Sequence, residues 1–401
     1  MIVFIFRQYA VPPYLSGGTR HYEIAKAMAD DGIKVYIFCS NFSHASKEYQ
    51  RKIDGLYQIE HVNGVNFVWV NTSSYKKNGF ARLYGMYKYS VNVYHTAIQL
   101  NIIPDVIIGS SAPLFAPFSA QKVSRRFGCK FYFDIGDLWP EALVSAGTIK
   151  KYNLLTLIFY MISFYLYRKA DLILVLVADA KKKIESKKIS SKKIIIFPPG
   201  KSTIPTLTSN NKHTIANDIE KLIITYTGSL NPIYPLDELI NAIGMLQNHG
   251  EQFKKIELFI YGAGENKSEL IEKVNSMSLR SRIHFPDPVP KDRVQELLAK
   301  SDILIAIEKK ILYGFPNKLI DYLFAGKPII LASEADYQLD TQCVLQCNPK
   351  AQGICQKIKQ LATISQNERM LLGKDGVNYA LSYFDMKKNY QNILRPHLNR
   401  I

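Results

Sequence analysis

The sequence predicts an α/β protein made of two Rossmann-like domains. Three observations carry this. Short apolar runs alternate with helical patterns through the first half, the signature of a largely parallel sheet. The stretch 198–219 then collects Pro, Gly, Ser, Thr and Asn without periodicity, as a linker does. After it the alternation restarts at Leu222. A length of 401 residues suits two or three domains, and 47% apolar with 21% charged residues describes a globular chain.

Taken in order, strands are expected at Ile2–Phe6, Val35–Ser40, Asn66–Val70, Val106–Gly109, Lys130–Asp134, Leu172–Leu176 and Ile194–Phe197. Helices are expected over Thr19–Asp30, Gly79–Leu100, Ala116–Phe127, Leu154–Lys169 and Ala178–Lys187. In the second half the strands fall at Leu222–Thr227, Lys255–Tyr261, Ile283–Phe285, Ile303–Ile307 and Lys327–Leu331. Helices at Leu236–Asn248 and Glu269–Met277 lie between them, and a last helical segment follows Phe384. This gives a first domain at 1–203, a second at 204–383 and a terminal helix at 384–401. In such folds ligands lie outside the carboxyl ends of the strands, in the cleft between the domains.

A formal charge of +17 points to a polyanionic partner: nucleic acid, anionic lipid or phosphorylated small molecules. The abundance of Lys, Ile and Asn offers a competing, compositional reason. No nucleic-acid recognition module accompanies the charge. The five cysteines, Cys39, Cys129, Cys343, Cys347 and Cys355, form no Cys-x-x-Cys pair, which suits free thiols in a reducing cytoplasm rather than a metal cluster. Met1-Ile-Val-Phe-Ile-Phe reads as a first strand and not as a signal peptide.

Two segments bear on membranes. Tyr75–Tyr94 interleaves Lys76, Lys77, Arg82 and Lys88 with Phe80, Leu83, Tyr84, Met86, Tyr87 and Tyr89, a pattern suited to a headgroup interface. Tyr152–Tyr167 is apolar with basic flanks, but its length falls short of a bilayer core. It is read as a helix apolar on all sides and packed inside the first domain. The expectation is a protein peripheral to the inner face of the cell membrane, without a span.

The most informative segment is Tyr313-Gly-Phe-Pro-Asn-Lys-Leu-Ile-Asp-Tyr-Leu-Phe-Ala-Gly-Lys-Pro-Ile-Ile330, a loop, short helix, turn and strand. Pro316 suits a helix start, and Gly326 then Pro328 end it. Lys318 and Asp321 are three apart and share a face. A lysine beside the free N–H groups of a helix start suits a diphosphate, and a carboxylate one turn deeper suits a ribose diol. An ordinary surface ion pair remains the alternative.

Other loops follow strands. Ser16-Gly17-Gly18-Thr19 opens a helix, where glycines let a ligand approach the backbone and Arg20 and His21 fall in the first turn. Asp134-Ile-Gly-Asp137-Leu-Trp-Pro-Glu141 gathers carboxylates at a strand end, suited to sugar hydroxyls or general-base work. Asp137 could instead cap a helix near Trp139. His44 lies in a loop after the second strand. Gly262-Ala-Gly264 opens like a dinucleotide fingerprint, but Lys267 replaces the third glycine.

These segments, with Tyr226-Thr-Gly-Ser-Leu230, Phe259-Ile-Tyr-Gly-Ala-Gly264 and Asp302-Ile-Leu-Ile305, resemble family 4 glycosyltransferases of the GT-B fold. The similarity is strongest to the branch that adds N-acetylated deoxyhexoses, such as N-acetylfucosamine, in bacterial O-antigen and capsule assembly. The resemblance implies retaining transfer from a UDP-sugar to an undecaprenyl-diphosphate-linked glycan, and a terminal helix crossing back to the first domain. It further implies a nucleotide-sugar site of Gly17, Gly18, Gly228, Gly262, Gly264, Val289, Tyr313, Gly314, Phe315, Asn317, Lys318 and Asp321. Asp137, Lys318 and Asp134 are the expected catalytic residues. Arg20, His21, His44 and Glu141 are the expected acceptor contacts.

Two departures stand out. Tyr313 and Asp321 occupy the places of a glutamate pair common in the family, and Asn231-Pro-Ile-Tyr-Pro235 lacks the usual basic pair. Lys318 is left as the main diphosphate cation, helped by Lys201 or Lys309. No Asp-x-Asp occurs, so neither a metal nor another cofactor is expected beside the donor. The rival readings are a UDP-sugar 2-epimerase of the same architecture and a non-catalytic scaffold in a polysaccharide-assembly complex.

Overall fold

The computed structural model describes the chain apart from residues 16, 45, 77–78, 146, 203–220, 248, 290–292, 310–312, 336 and 401. Most of the expected linker, together with Ser16 and Lys77, therefore lies outside the described residues. The chain divides into two compact units, one of residues 1–202, 312–315 and 385–401 and one of 203–311 and 316–384.

The first unit follows the order β1 (Ile2–Phe6), α1 (Arg20–Asp30), β2 (Lys34–Ser40), β3 (Tyr57–Val62), β4 (Val65–Val70), α2 (Phe80–Gln99), β5 (Val106–Ser111), α3 (Phe115–Phe127), β6 (Lys130–Ile135), α4 (Glu141–Ser145), α5 (Leu154–Lys169), β7 (Leu172–Val175), α6 (Ala178–Glu185) and β8 (Ile194–Ile196). Its sheet runs β3-β4-β2-β1-β5-β6-β7-β8. Only β3 is antiparallel. Helices on both faces bury the strands twice over, which is why β1 and β7 read as unbroken apolar runs.

The β3–β4 hairpin is absent from the expected elements, although its sequence signal is present. Asn63 and Gly64 at its turn have φ of 50° and 86°, the pair of positive angles that Asn-Gly supplies in a two-residue hairpin.

The second unit follows the order β9 (Leu222–Thr227), α7 (Leu236–Leu246), α8 (Glu251–Lys254), β10 (Ile256–Tyr261), α9 (Lys267–Ser276), β11 (Ile283–His284), α10 (Val294–Ala299), β12 (Ile303–Ile307), α11 (Asn317–Phe324), β13 (Ile329–Ala332), β14 (Val344–Cys347), α12 (Ala351–Thr363) and α13 (Gln366–Tyr383). Its six strands run β11-β10-β9-β12-β13-β14, all parallel.

The chain end, α14 (Met386–Asn389), a π turn (Tyr390–Leu394) and α15 (Arg395–Leu398), belongs to the first unit. Met386, Tyr390, Leu394 and Leu398 recur every fourth residue and join its core beside Tyr22, Ala25 and Met28 of α1. The Tyr390 hydroxyl donates to Asp31 at 2.8 Å, and Arg395 pairs with the same carboxylate at 2.9 Å.

Two expectations about helix faces need correction. Tyr75, Met86 and Tyr89 point into the core and not toward an interface, and the Tyr89 hydroxyl donates to the Phe38 carbonyl at 2.8 Å. Conversely α5, expected to be enclosed, buries only Thr156, Phe159, Ser163, Leu166 and Tyr167. Its opposite side leaves Leu154, Leu157, Ile158, Met161 and Phe164 exposed. An all-apolar sequence has no polar stripe to reveal which side faces out.

Candidate functional site

Strand order places the candidate site. In the second unit the chain winds one way from β9 to β10 and the other way from β12 to β13. The switch point therefore lies between the carboxyl ends of β9 and β12, where doubly wound sheets hold ligands. Gly228 follows β9, Glu308 follows β12, and α11 opens just after the same edge.

Lys318 from the first turn of α11 reaches across to the β9 turn. Its Nζ donates to Tyr226 Oη at 3.0 Å and lies 4.2 Å and 4.5 Å from the ring centroids of Tyr226 and Tyr234. Rings at this range attract a cation through their electron-rich faces. Gly228 makes room for it, since a Cβ there would sit 2.7 Å from Nζ. Burial pulls the Lys318 amine down to about 7, against the opposing charge of Glu308.

Glu308 escaped the sequence reading. It is buried at 2% exposure, accepts a hydrogen bond from Tyr337 and lies 3.4 Å from Ser333 Oγ. Burial raises its pKa, with Tyr337, Lys318 and Ser333 pulling the other way. The available signal was position: an acid directly after the apolar strand Ile-Leu-Ile-Ala-Ile, at the carboxyl end where sites form.

The neighbouring glycines have a backbone reason. A Cβ on Gly262 would lie 1.8 Å from the Gly228 carbonyl oxygen, and one on Gly264 would lie 2.5 Å from the Leu230 carbonyl. The turns after β9 and β10 are thus pressed together, with Leu230 N–H donating to Ala263 at 2.9 Å. Asn317 is exposed at the start of α11, and Asp321 is buried one turn on, its carbonyl accepting from Gln295 at 3.0 Å. Val289 is half-buried in the loop after β11. Lys309 is exposed beyond β12, and Lys201 is half-buried in the first unit.

Tyr313, Gly314 and Phe315 group with the first unit, and the Tyr313 side chain packs against that unit's core. Its φ of 65° is a left-handed conformation that a bulky residue rarely adopts.

The first unit has its own switch point, between β1 and β5. Asp134, at the end of β6, is fully buried there. Arg20 grips it with both Nη atoms at 2.7 Å and 2.8 Å, Ser110 Oγ donates at 2.7 Å, and His21 Nε2 lies 3.0 Å away. Burial would raise the Asp134 pKa, but Arg20 and His21 outweigh it and hold the carboxyl well below its usual range. Burial takes His21 down to about 4. The structure thus brings the expected catalytic Asp134 and the expected acceptor contacts Arg20 and His21 together in one buried cluster. Charged groups at a strand end were read as facing a ligand, yet here they satisfy one another inside the domain.

Glu141 is likewise buried, and it is ion-paired with Lys187 at 2.6 Å. Asp137 differs. It is half-buried, and burial raises its pKa against the charge of Arg7. It does not cap α4, which opens four residues later at Glu141. Arg7 is fixed by donating to the Ala112 carbonyl at 2.6 Å. His44 is half-buried, its Nδ1 2.7 Å from Tyr75 Oη, and burial with Arg82 and Lys47 takes it down to about 4. Gly17 has φ of 152° and sits against Val11, whereas a Cβ on Gly18 would meet open space.

Residues 221–363 match the family model of glycosyl transferases group 1. A curated relative, the probable glycosyltransferase WbjE of Pseudomonas aeruginosa, is 20% identical over 279 residues. The match covers 66% of this chain and 65% of the relative, so the chain spans just under two thirds of its length. Among solved structures, sucrose-phosphate synthase from Thermosynechococcus elongatus superposes with a TM-score of 0.74 at 14% identity, covering 100% of this chain and 99% of that one. Anabaena HepE, solved in complex with UDP-glucose, gives 0.68 at 14% identity with 100% and 99% covered. Residues 221–363 thus form a domain that matches glycosyl transferases group 1, in a chain with the GT-B fold.

Proposed function

We propose that the protein is a retaining glycosyltransferase moving an N-acetylated hexose or deoxyhexose from a UDP-sugar to an undecaprenyl-diphosphate-linked glycan. The setting is bacterial surface polysaccharide synthesis, O-antigen or capsule, at the inner face of the cell membrane. The observation that carries the reading is the Lys318 amine, cradled by Tyr226 and Tyr234 over Gly228 at the switch point of the second unit. HepE, of the same fold, was solved with UDP-glucose.

In this reading Lys318 and the first N–H groups of α11 face the diphosphate. As the anomeric C–O bond breaks, its electron pair passes to the diphosphate oxygen, and Lys318 stabilises the added charge without a metal ion. Asp321 accepts from the ribose, the loop at Val289 borders the base, and backbone N–H groups of Gly314 and Phe315 hold the sugar. Asp137, with its raised pKa, takes the proton of the acceptor hydroxyl as that oxygen bonds to the anomeric carbon on the face the diphosphate leaves, which keeps the configuration. His44 contacts the acceptor. Asp134, with Arg20 and His21, acts as a positioning group through Arg7, whose charge is felt by both Asp134 and Asp137.

The test is a screen of UDP-sugars against a synthetic prenyl-diphosphate monosaccharide, following UDP release and product by mass spectrometry and NMR. Transfer of an N-acetylated sugar with its anomeric configuration kept is expected. Conversion of UDP-N-acetylglucosamine alone into its 2-epimer would replace the reading with the epimerase.

A further inference from the structure

The first unit carries an apolar surface that its own fold leaves uncovered. Along α2 the residues Phe80, Tyr84, Tyr87 and Val91 are spaced by four, three and four and are all exposed, Phe80 at 92%. That spacing is one face of a helix. Along α5 a second stripe of Leu154, Leu157, Ile158, Met161 and Phe164 is exposed in the same way, Met161 at 72%.

Between the two helices lies a groove of about 620 Å³. Tyr87, Val91 and Tyr94 of α2 wall one side, Ile162 and Tyr165 of α5 the other, and Phe118 of α3 contributes to the lining. Lys122 and Arg125 of α3 also line it, the Lys122 amine sitting 4.6 Å from the Phe118 ring centroid. Tyr87 and Val91 belong to both the α2 stripe and the groove, and on α5 the groove residues Ile162 and Tyr165 directly follow the stripe residues Met161 and Phe164.

Its charge has one sign. α2 carries Lys88, α3 carries Lys122, Arg125 and Arg126, and α5 ends in Arg168 and Lys169. None of the three contains Asp or Glu. Lys150 and Lys151 precede α5, and Tyr152 beside them is 85% exposed. A water-facing helix ordinarily mixes both signs with few large apolar groups. Bulky apolar side chains with cations and no anions match a surface that is apolar inside and negative at its rim.

We infer that the α2–α3–α5 face docks on an anionic lipid bilayer, its two apolar stripes entering the headgroup layer and Lys122 and Arg125 meeting lipid phosphates at the groove. No helix among the described residues is long and apolar enough to cross a membrane, so the contact is interfacial. The inference deepens the membrane setting proposed above and rests on that reading only for the inner-face location, because lipid contact here needs neither donor nor turnover.

The experiment is vesicle flotation of the full chain with phosphatidylglycerol-containing and pure phosphatidylcholine liposomes. Wild type is expected to float with the anionic vesicles and to lose binding as salt rises. The exposed pair L157E/M161E should weaken partitioning about tenfold or more. The pair K122Q/R125Q should weaken it severalfold and flatten its salt dependence. Both variants should keep the wild-type melting temperature and UDP-induced thermal shift, which separates failure of this surface from failure of the donor reading. Wild type that ignores anionic vesicles, or variants that float as well as wild type, would overturn the inference. So would a wild-type dimer that both variants dissociate without any vesicle binding, since the face would then be a contact between copies of the chain.

Discussion

Lys318 Nζ and Tyr226 Oη are 3.0 Å apart, and the same amine lies 4.2 Å from the Tyr226 ring centroid, so one tyrosine holds the lysine by both its edge and its face. The aromatic shell that fixes the amine also strips water from it. That combination is useful only where a negative ligand restores what water supplied.

A pH dependence follows. Burial takes Lys318 down to about 7, so the free site loses its cation as pH rises through neutrality. A bound diphosphate favours the charged amine and raises its pKa again. UDP affinity should therefore fall as pH rises from 7 to 9, by up to about tenfold per unit. Calorimetric titrations at pH 7, 8 and 9 check this, and Lys318→Met should remove the slope.

Asp137→Asn should lower turnover at least about tenfold while leaving UDP affinity unchanged, because the carboxylate is assigned to the acceptor. Kinetics beside UDP titration separate the two. A loss of melting temperature with normal activity per folded molecule would make Asp137 structural.

Gly262→Ala should destabilise the second unit by about 2–4 kcal/mol, since the new methyl meets the Gly228 carbonyl and neither turn can yield cheaply. Thermal unfolding measures it. Gly18→Ala, which points a Cβ into open space, should leave the melting temperature within a degree or two.

Much of this was legible in the sequence for physical reasons. Apolar strands with helical spacers give the parallel sheets directly, and Lys318 was visible because Pro316, Gly326 and Pro328 frame its helix. Glu308 was not, because nothing in Ile-Ala-Ile-Glu says that Tyr337, far along the chain, folds back onto it. Asp134, Arg20 and His21 are expected to face ligand from their places at a strand end and in the first turn of a helix. Their mutual pairing across more than 100 residues is a tertiary fact.

That pairing makes stability acid-sensitive. His21 titrates at about 4 when folded and near 6.5 when unfolded, so its contribution is complete above 6.5 and is lost as pH falls toward 4. Asp134, held low by Arg20, adds a further loss below about 4. Urea unfolding from pH 7 to pH 4 should show a decline of up to about 3 kcal/mol from His21. His21→Gln should flatten that slope.

The most direct test of the central claim is calorimetric titration of UDP into wild type and Lys318→Ala at pH 7. If the second unit's switch point is a diphosphate site built on this amine, wild type binds UDP and the variant binds about tenfold or more weakly with an unchanged melting temperature. Equal affinity in the two proteins, or no UDP binding by wild type, would contradict it.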